Sequence, residues 1–204
     1  PNGAGKTTTF YMIVGFIKPK EGSVYLDDVN ITSLPMYKRA KLGIGYLPQE
    51  SSIFRRMSVE NNILSVLQMT DLPKKEQHEK VEQLLVEFGL TKIRKSQGIQ
   101  LSGGERRRTE IARSLVIEPS FLLLDEPFAG IDPIAVNEIK DIIVRLSAQG
   151  IGILITDHNV RDTLEITNRS YIINLGEILA EGSQKELLSN SLAREIYLGN
   201  NFKM

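Results

Sequence analysis

The sequence predicts an α/β fold: a parallel β-sheet core, a small antiparallel β part and an inserted helical lobe. Three observations predict it. Phe121–Leu124 and Gly152–Thr156 are largely apolar runs of strand length, the pattern of parallel strands buried on both faces. Helical spacing dominates residues 51–100. A glycine-rich turn at residues 1–8 leads directly into an apolar segment from Phe10 to Phe16.

Each element follows from local signals. A helix is expected from about Lys6 to Ile17, stopped by Lys18-Pro19-Lys20-Glu21-Gly22. Ser23–Leu26 and Val29–Ile31 read as a short hairpin around Asp27-Asp28, and Gly43–Leu47 as a strand ending at Pro48-Gln49. Ser58 can cap a helix carrying Ile63, Leu64 and Leu67. Val81, Leu84, Leu85 and Phe88 share one helical stripe that Gly89 stops, and the polar run Lys74–Lys80 is a solvated face. Ile139, Ile142, Ile143 and Leu146 line a helix that ends before Gly150. Tyr171–Asn174 and Glu177–Ala180 form a hairpin around Leu175-Gly176, and Ser183-Gln184-Lys185-Glu186 is a capping box opening a last helix. The chain is expected to be one domain, with residues 1–50 and 101–204 as its core and 51–100 as a helical subdomain.

Composition narrows the function. Twenty-five Lys and Arg balance twenty-five Asp and Glu, so no global field draws the chain to nucleic acid or anionic lipid. Absence of cysteine excludes disulfides and thiolate metal sites and fits a cytoplasmic protein. No apolar run approaches the roughly 20 residues that span a bilayer, so any membrane path must come from other chains.

Pro1-Asn2-Gly3-Ala4-Gly5-Lys6-Thr7-Thr8 matches the phosphate-loop pattern G-x-x-x-x-G-K-[ST], except that its first glycine would precede Pro1. Gly3 and Gly5 let backbone N–H groups turn toward a phosphate, with Asn2, Ala4 and Thr8 completing the cradle. Lys6 brings charge to the β- and γ-phosphates, the helix start adds its dipole, and Thr7 suits Mg²⁺. A plain glycine-rich turn before a helix would look similar. The motif normally follows a buried strand, so the sequence is expected to be an N-terminally truncated piece, poorly folded or inactive alone.

Phe121-Leu122-Leu123-Leu124-Asp125-Glu126-Pro127 places two carboxylates at the carboxyl end of an apolar strand, where open α/β sheets bind ligands. Asp125 suits a Mg²⁺ ion, and Glu126 can orient and deprotonate an attacking water. Solvated acids at a strand end would read alike. In Leu101-Ser102-Gly103-Gly104-Glu105, Ser102 and Glu105 form a capping box for the helix carrying Ile111 and Leu115. Two glycines in a first helical turn cost about 1 kcal/mol each and imply a close approach of the backbone to something. Arg106, Arg107 and Arg108 follow and read as helix surface.

These residues resemble the signature of the ATP-binding cassette family, with Glu105 where that family more often has Gln. Gln49, Asp132 in Ala129-Gly130-Ile131-Asp132-Pro133, and His158 in Thr156-Asp157-His158 match its other marks. The resemblance implies a P-loop NTPase with a RecA-like core that hydrolyses ATP with Mg²⁺. It implies a homodimer in which Ser102, Gly103 and Gly104 bind the γ-phosphate of ATP held by the second copy, and Asp132 contacts across the interface. It gives Gln49 a Mg²⁺-sensing role and His158 a place on the γ-phosphate. Each has a local alternative: Asp132 before Pro133 is a good helix N-cap, His158 an exposed residue beside an N-cap Asp157, and Gln49 a loop amide. His78 is solvated surface.

Longer stretches resemble the lipopolysaccharide-export ATPases of that family. They are Thr7–Met12, Leu34–Met36, Leu42–Arg56, Phe128–Pro133, Asp157–Arg161 and the tail Tyr197-Leu198-Gly199 with Phe202. The resemblance implies two membrane-spanning partner subunits, a place on the cytoplasmic face of the inner membrane, and no nucleic-acid role. Ile53, Phe54, Arg55 and Arg56 are the expected contacts with the membrane subunits, and packing of Phe54 into the helical lobe is the equal alternative. A branched-chain amino-acid importer ATPase would share every catalytic motif. A DNA-maintenance ATPase would need a long insertion, and Lys6 and Ser102 are only 96 positions apart.

Overall fold

The computed structural model describes residues 3–190. In chain order the elements are α1 (Lys6–Val14), β1 (Tyr25–Leu26), β2 (Val29–Asn30), α2 (Met36–Lys41), β3 (Ile44–Leu47), α3 (Val59–Leu67), α4 (Lys74–Glu87), α5 (Gly103–Ser114), β4 (Phe121–Asp125), α6 (Pro133–Ala148), β5 (Gly152–Thr156), α7 (Val160–Ile166), β6 (Ser170–Asn174), β7 (Glu177–Gly182) and α8 (Gln184–Ser189). Short 3₁₀ turns lie at Thr91–Ile93, Gly98–Gln100 and Leu115–Ile117. The chain divides into two compact units, residues 1–36 with 155–204 and residues 37–154.

The first unit holds α1, two antiparallel hairpins and the C-terminal helices. α1 ends three residues before the expected stop, because Gly15 adopts φ 94° and the amides of Gly15, Phe16 and Ile17 all turn back to the carbonyl of Tyr11. β1 and β2 pair as expected, and Asp27 takes the left-handed φ of 49° in the turn between them. β6 and β7 pair antiparallel around Leu175 (φ 49°) and Gly176 (φ 83°). Two successive positive φ values at a two-residue loop match the right-handed twist of its strands. Leu164, Ile172, Ala180 and Leu187 pack into one cluster, which unites α7, this hairpin and α8. Ser183 and Glu186 form the capping box of α8. The tail at Tyr197, Leu198, Gly199 and Phe202 lies outside the described residues.

The second unit carries β3, β4 and the start of β5, in the sheet order β3-β4-β5, with β3 and β4 parallel and Ile44 opposite Phe121 through Leu47 opposite Leu124. Leu122, Leu123 and Leu124 are buried, and α5 and α6 bury Ile111 and Ala112, and Ile139, Ile143 and Leu146. β5 departs from its sequence expectation. Its residues are mostly half-buried and Leu154 is exposed, although three of its five residues are Ile or Leu.

The segment 51–100 lies wholly within the second unit. Ser58 Oγ caps α3 by accepting from the amide of Asn61, and Ile63 and Leu67 are fully buried. Val81, Leu84, Leu85 and Phe88 form the buried stripe of α4. An ionic network ties these helices together: Arg94 donates to Glu60 at 2.8 Å and in a fork to Glu82 at 2.6 and 3.0 Å, and Lys95 reaches Glu60 at 2.5 Å. The hydrogen bond from Lys95, with help from Arg94, holds the Glu60 carboxyl below its usual range. No helix among the described residues is long and apolar enough to cross a membrane.

Candidate active site

In the first unit, the loop before α1 is shaped by its main chain. Gly3 has φ 74° and Gly5 φ 104°, a backbone that residues with a Cβ rarely adopt. Gly5 is the N-cap of α1 and contributes no side-chain hydrogen bond to it. Thr9 Oγ1 and the Thr9 amide both return to the carbonyl of Gly5, at 3.0 and 2.9 Å. Ala4 is buried, and its carbonyl accepts the amide of Gly176 at 2.9 Å, which fixes the loop against the tip of the β6–β7 hairpin. Lys6 and Thr7 are half-buried and Thr8 is exposed. Asn2 lies outside the described residues.

Also in the first unit, Asp157 is buried and its Oδ1 accepts the amide of Asn159 at 2.7 Å. His158 Nδ1 stands 3.7 Å from the same oxygen, with 59% of its side chain exposed, accessible to a ligand. The cap of α7 is Asn159, whose Oδ1 accepts the amide of Asp162 at 3.3 Å, rather than the expected Asp157. Asp157 lies two residues before that cap and instead closes the turn that presents His158.

In the second unit, β4 delivers Asp125 and Glu126 side by side, with 1% and 9% exposure. Glu126 has φ 45°, a left-handed backbone that costs a non-glycine residue about 1–2 kcal/mol. Gln49, just past β3, donates from Nε2 to Glu126 Oε2 at 2.9 Å. The parallel pairing of β3 and β4 brings these two expected residues to one sheet edge. Tyr46 on β3 donates its phenol to Asp125 Oδ2 at 3.4 Å.

Ser102 Oγ accepts the amide of Glu105 at 3.3 Å while Glu105 Oε2 accepts the amide of Ser102 at 2.9 Å, the expected capping box of α5. The two glycines behind it have a packing reason as well. A Cβ on Gly104 would lie 2.6 Å from Ala135 Cβ, and one on Gly103 would lie 3.1 Å from the carbonyl oxygen of Gly130. Asp132 Oδ1 caps α6 by accepting the amides of Ile134 and Ala135 at 3.1 and 3.0 Å, with Pro133 at the first helical position.

Arg107 corrects the sequence reading of residues 106–108 as helix surface, for it is 6% exposed. Its guanidinium donates to the carbonyls of Pro48 (3.0 Å), Asp125, Glu126 and Pro127 (3.1 Å each). Glu110, equally buried, pairs with it at 3.5 Å and accepts from Ser51 Oγ and the amides of Ser52 and Ile53. The signal was present in the helical period: Arg107 lies four residues before Ile111 and eight before Leu115, on the stripe that goes inside.

The segment after Gln49 is held from α3 and α5. Asn62 accepts the amide of Phe54 at 2.8 Å and donates to the carbonyls of Phe54 and Ser58 at 3.1 and 3.0 Å. Arg113 donates to the Ser52 carbonyl at 2.9 Å and lies over the Phe54 ring at 5.0 Å. Burial lowers the pKa of this guanidinium. Ile53 is buried, so among the four contacts expected from the sequence only Phe54, Arg55 and Arg56 stand exposed. Ile53 turns inward, with its side chain beside Gly98 and its amide bound to Glu110.

Three expected metal ligands, Thr7, Gln49 and Asp125, are hard oxygen donors of the kind Mg²⁺ takes alongside phosphate and water. With its Nε2 given to Glu126, the Gln49 amide keeps its oxygen end for a cation. Few protein donors fit a Mg²⁺ ion, which keeps several waters, and no cluster of three or more His, Cys, Asp or Glu occurs among the described residues.

The family profile described as "ABC transporter" matches residues 1–129. A "Probable ABC transporter ATP-binding protein" of Azorhizobium caulinodans is 55% identical over all of this chain and 73% of its own length. "Lipopolysaccharide export system ATP-binding protein LptB" of Acidithiobacillus ferridurans is 54% identical over all of this chain and 85% of its own. The crystal structure of the ADP conformation of MJ1267, an ATP-binding cassette of an ABC transporter, superposes with a TM-score of 0.85 at 30% identity, covering 98% of this chain and 85% of that one.

Proposed function

Because the chain belongs to the ABC transporter family and is an ATP-hydrolysing enzyme of that family, we propose that its hydrolysis drives lipopolysaccharide export from the inner membrane. The observation that carries this reading is 54% identity, across every residue of this chain, to the export ATPase of Acidithiobacillus ferridurans. The protein then works as a homodimer on the cytoplasmic face, bound to two membrane-spanning subunits through Phe54, Arg55 and Arg56. Two features support that surface: an exposed aromatic flanked by arginines, and a backbone already immobilised by Asn62 and Glu110.

The roles of the residues follow from their chemistry. Amides of residues 2–8 and Lys6 bind the ATP phosphates. Thr7, Asp125 and Gln49 hold Mg²⁺, which when bound neutralises charge on the β- and γ-phosphates. Glu126 takes a proton from the attacking water, and the Gln49 amide orients its carboxylate for that task. His158, presented by the Asp157 turn, contacts the γ-phosphate. Ser102, Gly103 and Gly104 lead a helix N-terminus toward the nucleotide of the second copy, and Asp132 stands at the seam between copies.

Glu126→Gln in the full-length protein tests the chemistry. It is expected to bind ATP, accumulate as a closed dimer and hydrolyse at least about 100-fold more slowly. Near-normal turnover would remove Glu126 from the role of base. Transport is tested by purifying the full-length protein with its membrane subunits in detergent and identifying the bound lipid. Lipopolysaccharide in the complex supports export, whereas a soluble amino acid or its binding protein refutes it.

A further inference from the structure

We propose that Glu110 is a positioning residue for ATP hydrolysis: one buried carboxylate joins the segment after Gln49 to the arginine that holds the turn carrying Glu126. The inference rests on the reading of Gln49 and Glu126 given above. Glu110 lies on α5 with 3% exposure. Its Oε1 accepts three donors, Ser51 Oγ at 2.8 Å, the Ser52 amide at 2.7 Å and the Ile53 amide at 3.1 Å. Its Oε2 faces Arg107 Nη1 at 3.5 Å.

The arginine completes the link. Besides Glu110, its Nε reaches the carbonyl of Pro127, Nη1 that of Pro48, and Nη2 those of Asp125 and Glu126. Those contacts match the donor capacity of the guanidinium fork, which is rigid and planar. One turn of α5 therefore fixes the backbone on both sides of Gln49 (Pro48 and residues 51–53) and the backbone at Glu126. Between them lies the 2.9 Å bond from Gln49 to Glu126. A buried ion pair is a poor way to gain stability, since apolar residues of equal volume do as well or better. Direction is what the pair supplies: carbonyls and amides held at set angles around a carboxylate that must point correctly.

Two substitutions in the full-length protein separate positioning from bulk packing. Glu110→Gln keeps an oxygen for Ser51, Ser52 and Ile53 but sets an amide against Arg107. Its melting temperature should fall, because Arg107 loses its buried counter-charge, while KM for ATP stays close to wild type and kcat falls about tenfold, because the displaced group lies at the chemical step. Hydrogen exchange at the Ser52 and Ile53 amides should stay slow in Glu110→Gln and accelerate in Glu110→Ala. Ser51→Ala, at an exposed position, should lower kcat about twofold and speed the same exchange with an unchanged melt.

A Glu110→Gln protein that is folded at the assay temperature and keeps wild-type kcat overturns the proposal. So does a kcat loss matched by an equal rise in KM. Should Glu110→Gln not fold, Ser51→Ala decides: unchanged exchange and unchanged kcat refute the link. Normal hydrolysis by Glu126→Gln would instead bring down the reading of Glu126 itself. An inert Glu126→Gln beside fully active Glu110→Gln and Ser51→Ala would bring down this proposal alone.

Discussion

The loop before α1 and the turn after β4 are held in opposite ways. The loop is a main-chain construction: glycines at φ 74° and 104°, and a carbonyl of Ala4 bound to the amide of Gly176. The turn is a side-chain construction, in which the buried fork of Arg107 grips the carbonyls of Asp125, Glu126 and Pro127. The contrast follows from what each presents. Amides that wrap an anion need an unusual backbone and no bulk at Cβ. A carboxylate that must aim at one water needs the chain beneath it immobilised, and a rigid charged fork does that.

The sharpest way to break the contrast is Arg107→Ala. It leaves Glu110 buried without its cation and takes a donor from four main-chain carbonyls. Denaturant unfolding of the full-length variant should show a loss of about 3–5 kcal/mol; a loss below about 1 kcal/mol would mean the turn holds without its arginine. Next comes Gly5→Ala in the main-chain region. The left-handed φ of 104° should make it less stable by about 1–3 kcal/mol and weaken ATP binding, and its Cβ would meet Gly176 Cα at 3.6 Å, an ordinary contact. Equal ATP affinity in a titration would show that the loop tolerates a side chain after all.

The smallest effect serves as a control outside both regions. Glu60 has its folded pKa lowered by Lys95 and Arg94, so the unfolded chain takes up the proton more readily. That stabilisation is complete above the ordinary carboxylate range and is lost as pH falls through the lowered value. Glu60→Gln should therefore cost at most about 1 kcal/mol at neutral pH and nothing in strong acid. Melting curves at both ends of that range measure the difference; equal losses at both would exclude the ionic origin. ATP turnover should be unaffected.

Most of the fold could be read from local chemistry. The box at Ser183 and Glu186, the cap at Asp132 before Pro133, and the buried stripe from Val81 to Phe88 formed as their patterns imply. Where long-range contacts decide, reading along the chain failed. β4 and β5 are both largely apolar, yet among the described residues β4 lies between two strands in the sheet order and β5 at its end, and only β4 is buried. α1 stops early because Gly15, inside an apolar run, takes a left-handed turn that no flanking polar residue announces.

The candidate site divides along the same line. Gln49 and Glu126 were legible as separate marks, and their hydrogen bond depends on the register of β3 against β4. Arg107 and Glu110 look like ordinary charges in a polar helix until period places them beside Ile111. Their partners are main-chain atoms, which leave no residue-specific trace in a sequence. Asn62 and Arg113 were missed for the same reason, since Asn62 binds an amide and carbonyls of the segment at residues 52–58 and Arg113 the carbonyl of Ser52.

The positive φ of Glu126 governs how a disabled enzyme should be built. Glutamine carries the same Cβ through the same torsion, so exchanging Glu for Gln changes the reaction while the local torsional cost cancels from the comparison. Glycine would relax that torsion at the very moment it deleted the carboxylate. An inert glycine variant could thus equal its living parent in ruggedness, and a difference in heat resistance between the two would report conformation and chemistry mixed together.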